Sequence, residues 1–246
     1  MQCTFCATGY HGFKRNLTSS EIISQLWLAN YYEDNPEKIS NVVFMGMGEP
    51  LMNTMNVLKT IQIMQDQKCY SLSKRRITLS TSGIVPEIEA ITGKTDVSLA
   101  ISLHASNDDL RNKIVPINKK YPIKNLLSSS KKYLDSLNSK SYITIEYILI
   151  NDVNDSIEDA SNLVNLLSDL KCKINLIPFN PFPESDYERS TNEKVEAFKD
   201  YLIKHNFIAT VRVTRGDEID GACGQLVGKP INPTGSKNAL CSTCQL

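Results

Sequence analysis

The residues best suited to chemistry at the start of this chain are two cysteines three positions apart. Cys3 and Cys6 form a Cys-x-x-Cys pair with Phe5 between them, and Cys241 and Cys244 form a second pair near the C-terminus. Such a pair is compatible with a redox dithiol, half of a zinc site or part of an iron–sulfur ligand set. It is also compatible with two small buried residues. The pair indicates thiol chemistry or metal binding without deciding between them.

A further cysteine, Cys223, lies among small residues in the segment Asp220–Leu226. Small neighbours leave its thiol uncovered, which suits a nucleophile, and a nucleophilic thiol acts as the thiolate. The alternative is a free cysteine in a glycine loop. For Cys69 and Cys172 the sequence favours packing roles.

Glycine and polar residues follow several predicted strands where each strand ends. The carboxyl ends of parallel strands meet at one edge, which carries the active site in α/β folds, so these residues are predicted to share a site. Glycine lets the backbone approach a ligand, and a carboxylate accepts hydrogen bonds from an ammonium group. Each residue also has a structural alternative as part of a turn, a helix cap or a buried core. They are Gly48, Glu49, Ser80, Ser82, Ser102, His104 and Asn180.

Short apolar segments alternate with amphipathic segments along most of the chain. This alternation predicts an α/β fold of parallel strands joined by helical crossovers. Strands are predicted at 41–45, 76–80, 97–103, 142–150, 173–178 and 207–213. Helices are predicted at 17–32, 53–66, 86–91, 108–114, 123–137, 156–170 and 193–205. Residues 214–246 are rich in glycine, proline and small polar residues and are predicted to form a loop and tail.

Composition excludes several classes of protein. The 246 residues carry 27 Lys and Arg against 27 Asp and Glu, so no strong overall field attracts nucleic acid or a membrane surface. No apolar run is long enough for a membrane span, and no signal peptide is visible. Seven cysteines at irregular spacing do not resemble a secreted disulfide framework. These features predict a cytoplasmic protein.

Taken together, the motifs resemble the RlmN/Cfr family of radical S-adenosylmethionine (SAM) adenine-C2 methyltransferases, and within it the RlmN branch. The resemblance runs from Cys3 to about Gly228 and implies a partial (β/α)6 TIM-like barrel of the radical SAM type. It rests on residues 3–9, 12–17, 45–50, 72–76, 79–83, 101–105, 114–120, 174–182 and 215–226.

The resemblance also implies roles for individual residues. Cys3 and Cys6 match two ligands of a [4Fe–4S] cluster, Phe5 would lie near the cofactor, and Cys223 matches the cysteine that carries the methyl group. The SAM-binding positions of the family match Gly48, Glu49, Ser80, Ser102, Leu103, His104 and Asn180.

The implied activity is formation of 2-methyladenosine in 23S rRNA and tRNA through an S-methylcysteine intermediate, with a disulfide formed during product release. The implied partners are these RNAs and an electron donor such as flavodoxin, with no membrane association. A monomer is expected.

One departure from the family pattern concerns the start of the chain. The family motif is Cys-x-x-x-Cys-x-x-Cys, and its first cysteine would lie two residues before Met1. The family's resolving cysteine, its RNA-binding region and the acidic residue assigned to proton removal also lie further upstream. We therefore expect an N-terminally truncated member with impaired activity. Residues 1–213 would form a radical SAM core without its first strand and first cluster cysteine, and residues 214–246 the catalytic-cysteine loop and tail.

Two alternatives remain open from the sequence. The two Cys-x-x-Cys pairs could form a four-cysteine zinc site in a non-catalytic binding module. The second alternative is a methyltransferase of the same family that acts at C8 of adenine.

Overall fold

Six parallel strands in sequential order form the framework of the protein. The computed structural model describes residues 1–10, 12–31, 38–212 and 224–226. Each strand pairs with the next one along the chain, and at least one helix connects every pair. The strands are β1 (Val42–Phe44), β2 (Ile77–Thr81), β3 (Ser98–Ser102), β4 (Ile143–Leu149), β5 (Cys172–Pro178) and β6 (Ile208–Val211).

Helices alternate with the strands along the chain, and most of them pack on one face of the sheet. They are α1 (Ser19–Tyr31), α2 (Thr54–Gln65), α3 (Val85–Ile91), α4 (Asp108–Ile114), α5 (Ile123–Asp135), α6 (Ile157–Leu167) and α7 (Asn192–Lys204). Short 3-10 helices cover Ala7–Tyr10, Pro50–Met52, Lys74–Arg76 and Pro116–Lys119. The predicted α/β alternation is confirmed, with small differences at the ends of elements.

Local capping explains where two of the helices begin. Before α1, Thr18 and Glu21 exchange backbone-to-side-chain hydrogen bonds of 2.9 and 3.2 Å. Before α6, Ser156 and Asp159 form a second reciprocal capping box. Each box satisfies amide groups that the first turn of a helix leaves unpaired.

The central strand β4 shows how the sheet divides its side chains. All seven of its residues are buried. The odd-numbered residues, such as Ile145 and Tyr147, belong to the main core under the helices. Successive side chains in a strand point to opposite faces, so Thr144, Glu146 and Ile148 face the concave interior of the partial barrel.

The two edges of the sheet approach each other at one end. Strands β1 and β6 are not paired, yet Nη1 of Arg212 lies 3.3 Å from Sδ of Met45. Arg212 follows β6 and Met45 follows β1, so this contact bridges the opening between the edge strands at their carboxyl ends.

A second, smaller apolar cluster lies at the carboxyl ends of the strands. It joins the N-terminal loop to the segments that follow β3, β4 and β5, and it fixes the loop that carries the first two cysteines. Its members are Cys3, Phe5, Ala7, Ala105, Ile114, Val115, Ile148, Ile150, Phe179 and Phe182. No helix in the described part of the chain is long and apolar enough to cross a membrane.

Candidate active site

The N-terminal loop turns tightly so that both cysteines lie against the end of the sheet. The amide of Cys6 donates to the carbonyl of Cys3 at 3.3 Å, and the amide of Gly9 donates to the carbonyl of Cys6 at 2.9 Å. A Cβ atom at Gly9 would lie 3.0 Å from the carbonyl oxygen of Cys3, so only glycine fits here without a shift. The amide of Thr4 donates to the carbonyl of Ile114 at 3.2 Å, which attaches the loop to the end of α4.

The two thiols of this loop differ in their surroundings. Cys3 is buried and Cys6 is half-buried. Burial, followed by the neighbouring Cys6, raises the pKa of Cys3 to about 12. Since a metal ligand must be the thiolate, metal binding at Cys3 would displace a proton.

Phe5 connects the cysteine loop to the end of β3. Its ring contacts that of His104 edge to face, with the centroids 4.6 Å apart. The edge of one ring then faces the π-surface of the other, an arrangement that aromatic pairs favour. Phe5 therefore lies beside His104, another residue of the predicted site, and its place near a cofactor stays a prediction.

His104 is a buried neutral imidazole held in a left-handed conformation, with φ of 63°. Its Nδ1 accepts a hydrogen bond from the amide of Ile148 at 3.1 Å, so the ring proton lies on Nε2. Burial, followed by the charge of Arg111, lowers the pKa of His104 to about 3. The carbonyl of His104 accepts from Nδ2 of Asn154 at 2.9 Å, so both its backbone and its ring are fixed.

Glu49 bridges the ends of β1 and β2. Its Oε1 accepts from the amide of Leu51 at 3.0 Å, and its Oε2 accepts from the amide of Ser82 at 2.8 Å. Burial raises the pKa of the Glu49 carboxyl, and these hydrogen bonds oppose the rise. The hydroxyl groups of Thr81 and Ser82 also donate to this carboxyl group. Gly48, with φ of 108°, makes the turn that brings the carboxyl group to this position.

Arg111 is a central residue of this edge that sequence reasoning missed. It lies in α4, and its side chain is completely buried. Its Nε donates to the carbonyl of Leu103 at 2.9 Å, and its Nη2 donates to the carbonyls of Ser82 at 2.8 Å and Ser102 at 3.0 Å. Its Nη1 donates to Oδ1 of Asn118 at 2.7 Å. One guanidinium group thus holds together the two strand ends that carry Ser82 and Ser102–Leu103.

Arg111 also brings a positive charge to the site. Burial lowers its pKa to about 10, and the neighbouring Cys3 and Asp108 oppose that change. The group therefore stays protonated at neutral pH. A buried arginine in a short, mostly polar helix has no signature in the sequence, because the same pattern describes an exposed one.

The remaining predicted residues lie at the same edge. Ser80 is buried in β2, and Ser102 is half-buried at the end of β3. Asn180 is buried just after β5, and its Oδ1 accepts from Nη1 of Arg189 at 3.4 Å. The strand-end residues predicted from the sequence therefore come together at one edge of the sheet.

Cys223 lies outside the described residues, but the residues that follow it do not. The carbonyl of Gly224 accepts from the amide of Ala7 at 2.7 Å, and the carbonyl of Leu226 accepts from Oγ1 of Thr8 at 2.7 Å. Gly224 has φ of 88°, and a Cβ atom there would lie 3.1 Å from the carbonyl oxygen of Phe5. The segment 224–226 thus packs on the loop that carries Cys3 and Cys6.

The donor set of the described residues fits part of an iron–sulfur site. Two thiols converge beside a buried cation, and soft sulfur ligands suit iron–sulfur clusters. Among residues 1–10, 12–31, 38–212 and 224–226, no three His, Cys, Asp or Glu side chains are grouped to hold a metal ion. Cys3, Cys6, Cys69 and Cys172 are free thiols. The predicted disulfide is therefore not present among them, and Cys241 and Cys244 lie outside the described residues.

Comparison with known proteins identifies the family. The model of the radical SAM superfamily matches residues 1–164. The chain belongs to the radical SAM superfamily. Within it, this radical SAM protein is similar to the dual-specificity RNA methyltransferase RlmN of Pseudomonas putida strain F1, with 55% identity over 234 residues. Its similarity to the RlmN protein of Marinobacter nauticus strain VT8 is 54% identity over 233 residues.

These relatives are longer than the chain. The matched regions cover 93% of this chain but 61% and 63% of the two relatives. A crystal structure of a radical SAM methyltransferase from Sphaerobacter thermophilus superimposes with a TM-score of 0.87 at 41% identity, covering 91% of this chain and 66% of that one. A domain of a pyruvate-formate lyase-activating enzyme from Bacteroides vulgatus, at 17% identity and a TM-score of 0.54, shares the fold. The partial-barrel fold expected from the sequence is confirmed.

Proposed function

We propose that this radical SAM protein carries the catalytic core of an RNA methyltransferase that converts adenosine to 2-methyladenosine in 23S rRNA and tRNA. The observation that carries the proposal is the convergence of Cys3, Glu49, Ser102 and His104 at one edge of the barrel. The 55% identity to the RlmN relative, named as a dual-specificity RNA methyltransferase, supports the same conclusion. Because its substrates are cellular RNAs, the activity is proposed to be cytoplasmic.

The cofactors proposed are a [4Fe–4S] cluster and SAM. Cys3 and Cys6 would hold the cluster, which would supply the electron for the cleavage of SAM after reduction by an external donor such as flavodoxin. Glu49 is suited to bind the ammonium group of SAM, since its carboxyl group is held at the ends of β1 and β2 by backbone amides. The Nε2–H of His104 and the hydroxyls of Ser80 and Ser102 are suited to the polar groups of its nucleoside.

The remaining SAM-binding positions fall at the same edge. The backbone of Gly48 and Leu103 and the amide of Asn180 are proposed to complete the pocket. Arg111 is proposed to keep the ends of β2 and β3 in register for this purpose, because its guanidinium group contacts three of their carbonyls. A pre-ordered pocket reduces the entropy lost when a ligand binds.

Cys223 is proposed as the methyl carrier. Its thiolate sulfur would form a bond to the methyl carbon of one SAM, and the sulfonium would leave as neutral S-adenosylhomocysteine. The contacts of Gly224 with Ala7 and Phe5 support this role, because they join the Cys223 segment to the loop that bears the cluster cysteines. The proposed domain division, a core at 1–213 and a catalytic-cysteine loop and tail at 214–246, follows from these roles.

The test combines metal analysis with product analysis. After anaerobic reconstitution, iron and sulfide content are measured, and the protein is incubated with SAM, a reductant and a tRNA or 23S rRNA fragment. Mass spectrometry of the nucleosides should find 2-methyladenosine at the low yield that impaired activity implies, and Cys223→Ala should abolish it while leaving the iron content unchanged. Stoichiometric zinc without iron would contradict the proposal, and 8-methyladenosine as the product would contradict the assignment of C2.

A further inference from the structure

A buried carboxyl group in the concave face of the barrel has no role in the site described so far. Glu146 lies in the middle of β4 with 5% of its surface exposed. An apolar side chain at this position would avoid the cost of burying a carboxyl group. A buried acid in an enzyme interior is therefore a candidate for ligand contact.

The sheet register aligns Glu146 with polar residues on three other strands. Ser102 pairs with Glu146, Glu146 with Asn175, and Asn175 with Thr210. Residues in register in a parallel sheet point to the same face, so these four side chains form one polar row across β3, β4, β5 and β6. The row begins at Ser102, a proposed SAM-binding residue.

Hydrogen bonds along the row leave one acceptor of Glu146 available. Its Oε2 accepts from Nδ2 of Asn175 at 2.7 Å, and Oγ1 of Thr210 donates to Oδ1 of Asn175 at 3.4 Å. Within the described part of the chain, Oε1 of Glu146 receives no such bond. The backbone carbonyl of Glu146 accepts from the amides of Leu103 at 3.1 Å and His104 at 3.3 Å, so the backbone of Glu146 lies directly beside the proposed cofactor site.

The space in front of the row is open. Ser102 and Asn175 are half-buried and Thr210 is exposed. On the same concave face, Val43 is 38% and Ile208 is 55% exposed, although apolar side chains fill the interior of a closed barrel. A ligand entering from the β6 side can therefore reach the row.

Positive charges flank the row. Burial raises the pKa of Glu146, and Arg212 and Lys173 oppose that rise. Arg212 lies at the end of β6, immediately before the segment that leads to Cys223. The row thus runs from the proposed SAM site on β3 to β6, the strand that precedes the proposed methyl carrier in the chain. The reacting base has to bind between the SAM site and the methyl carrier.

We infer that Glu146 and Asn175 form a subsite for the adenine ring of the substrate nucleotide, in which the Glu146 carboxylate accepts a hydrogen bond from the exocyclic 6-amino group. This inference rests on the proposed function. Adenine offers a donor at position 6 and acceptors at its ring nitrogens, and an Asn amide can both donate to and accept from a purine edge. Guanine has an oxygen at position 6, which a carboxylate repels. The row would therefore select adenine over guanine once the base is flipped out of its stack.

The experiment removes the same interaction from each side. Two stem-loop RNAs are compared, one with adenosine at the target position and one with purine ribonucleoside, which lacks only the 6-amino group. Their dissociation constants are measured without reductant, so that no turnover is needed, and the methylation rate is measured separately. The proteins are the unsubstituted chain, Glu146→Gln, Glu146→Ala and the exposed control Glu89→Gln.

The unsubstituted chain and Glu89→Gln should bind the adenosine RNA roughly 10- to 100-fold more tightly than the purine RNA, the size of effect expected when a charged hydrogen bond is lost. Glu146→Ala should bind the two RNAs within about threefold of each other, and Glu146→Gln, whose amide oxygen still accepts a hydrogen bond, should show an intermediate preference. Thermal unfolding and affinity for S-adenosylhomocysteine should match the unsubstituted chain, so that a folding defect is recognised.

Two results would overturn the inference alone. One is an equal preference for the amino group in all four proteins while 2-methyladenosine still forms. The other is a loss of S-adenosylhomocysteine affinity in the Glu146 variants with the base preference intact, because the carboxylate would then belong to the cofactor pocket. Failure of the unsubstituted chain to bind the adenosine RNA, with no trace of 2-methyladenosine formed, would overturn the proposed function, and the inference with it.

Discussion

Replacing Arg111 by methionine should lower the free energy of unfolding by more than the loss of a single buried hydrogen bond does. Methionine has a similar length and fills most of the same space without a charge. The substitution leaves four acceptors without their donor, namely the carbonyls of Ser82, Ser102 and Leu103 and Oδ1 of Asn118. The ends of β2 and β3 then lose the group that joins them.

The magnitude follows from two opposing contributions. An unsatisfied buried acceptor costs about 1–3 kcal/mol, so four acceptors at the lower end of that range cost about 4 kcal/mol. Removing a buried cation returns part of its desolvation energy, which reduces the expected net loss to about 3 kcal/mol. For a chain of this size, that loss lowers the melting temperature by about 6–12 °C.

Urea unfolding followed by circular dichroism measures the effect, with Tyr133→Phe as the matched control. The hydroxyl of Tyr133 is also buried and makes one hydrogen bond, to the carbonyl of Val97 at 2.9 Å, so its loss should cost about 1 kcal/mol. Arg111→Lys keeps the charge but not the planar fork, and should fall between the two. The reasoning is refuted if Arg111→Met unfolds at the same urea concentration as Tyr133→Phe.

Three other predictions test single contacts of the site. Since the folded pKa of His104 is about 3 and the unfolded pKa about 6.5, the unfolded state binds the proton first. The free energy of unfolding should therefore fall as pH drops below 6.5, with a slope that approaches about 1.4 kcal/mol per pH unit near pH 5. In His104→Asn that contribution should disappear, while asparagine tolerates the positive φ. Gly83→Ala should lower the free energy of unfolding in urea by about 3 kcal/mol, and Gly48→Ala by about 1 kcal/mol. Both glycines have positive φ, but a Cβ atom at Gly83 would lie 3.0 Å from the buried side chain of Leu126, whereas one at Gly48 would lie in open space. Thr8→Val removes the 2.7 Å hydrogen bond to the carbonyl of Leu226. The alkylation rate of Cys223, measured by mass spectrometry, should then rise about fivefold, while the midpoint of urea unfolding stays the same.

Each of these three has an outcome that contradicts it. An unchanged pH slope in His104→Asn would show that the imidazole is not the group responsible. Equal costs at Gly83 and Gly48 would mean that the contact with Leu126 adds nothing to backbone strain. A Cys223 alkylation rate unaffected by Thr8→Val would mean that the contact with Leu226 does not hold the segment in place.

The order of the elements was predictable because periodicity is a local property. The stretch Ile143–Leu149 is rich in β-branched and aromatic residues and is a strand, and Ser156 with Asp159 starts a helix through side chains three positions apart. Alternation of such elements leaves few topologies open. For the same reason, residues that follow strands, such as Glu49 and His104, were predicted to meet at one edge.

Interactions between distant residues were not predictable in this way. The sequence suggested only that Glu49 could accept hydrogen bonds from a ligand ammonium group. In the structure, both of its oxygens also accept from backbone amides. Arg111 looked like any charged residue of a short helix, and its burial depends on carbonyls from two strands that only the fold brings together.

The sequence by itself determined which residues can do chemistry here: the thiols of Cys3, Cys6 and Cys223, and the order of strands that carries the other site residues to one edge. Only the tertiary structure decided how those residues are held. The neutral state of His104, the position of the Arg111 charge beside Cys3 and the alignment of Glu146 with Asn175 depend on burial and on strand register. Both are set by contacts between residues far apart in the chain, and a local pattern carries no record of them.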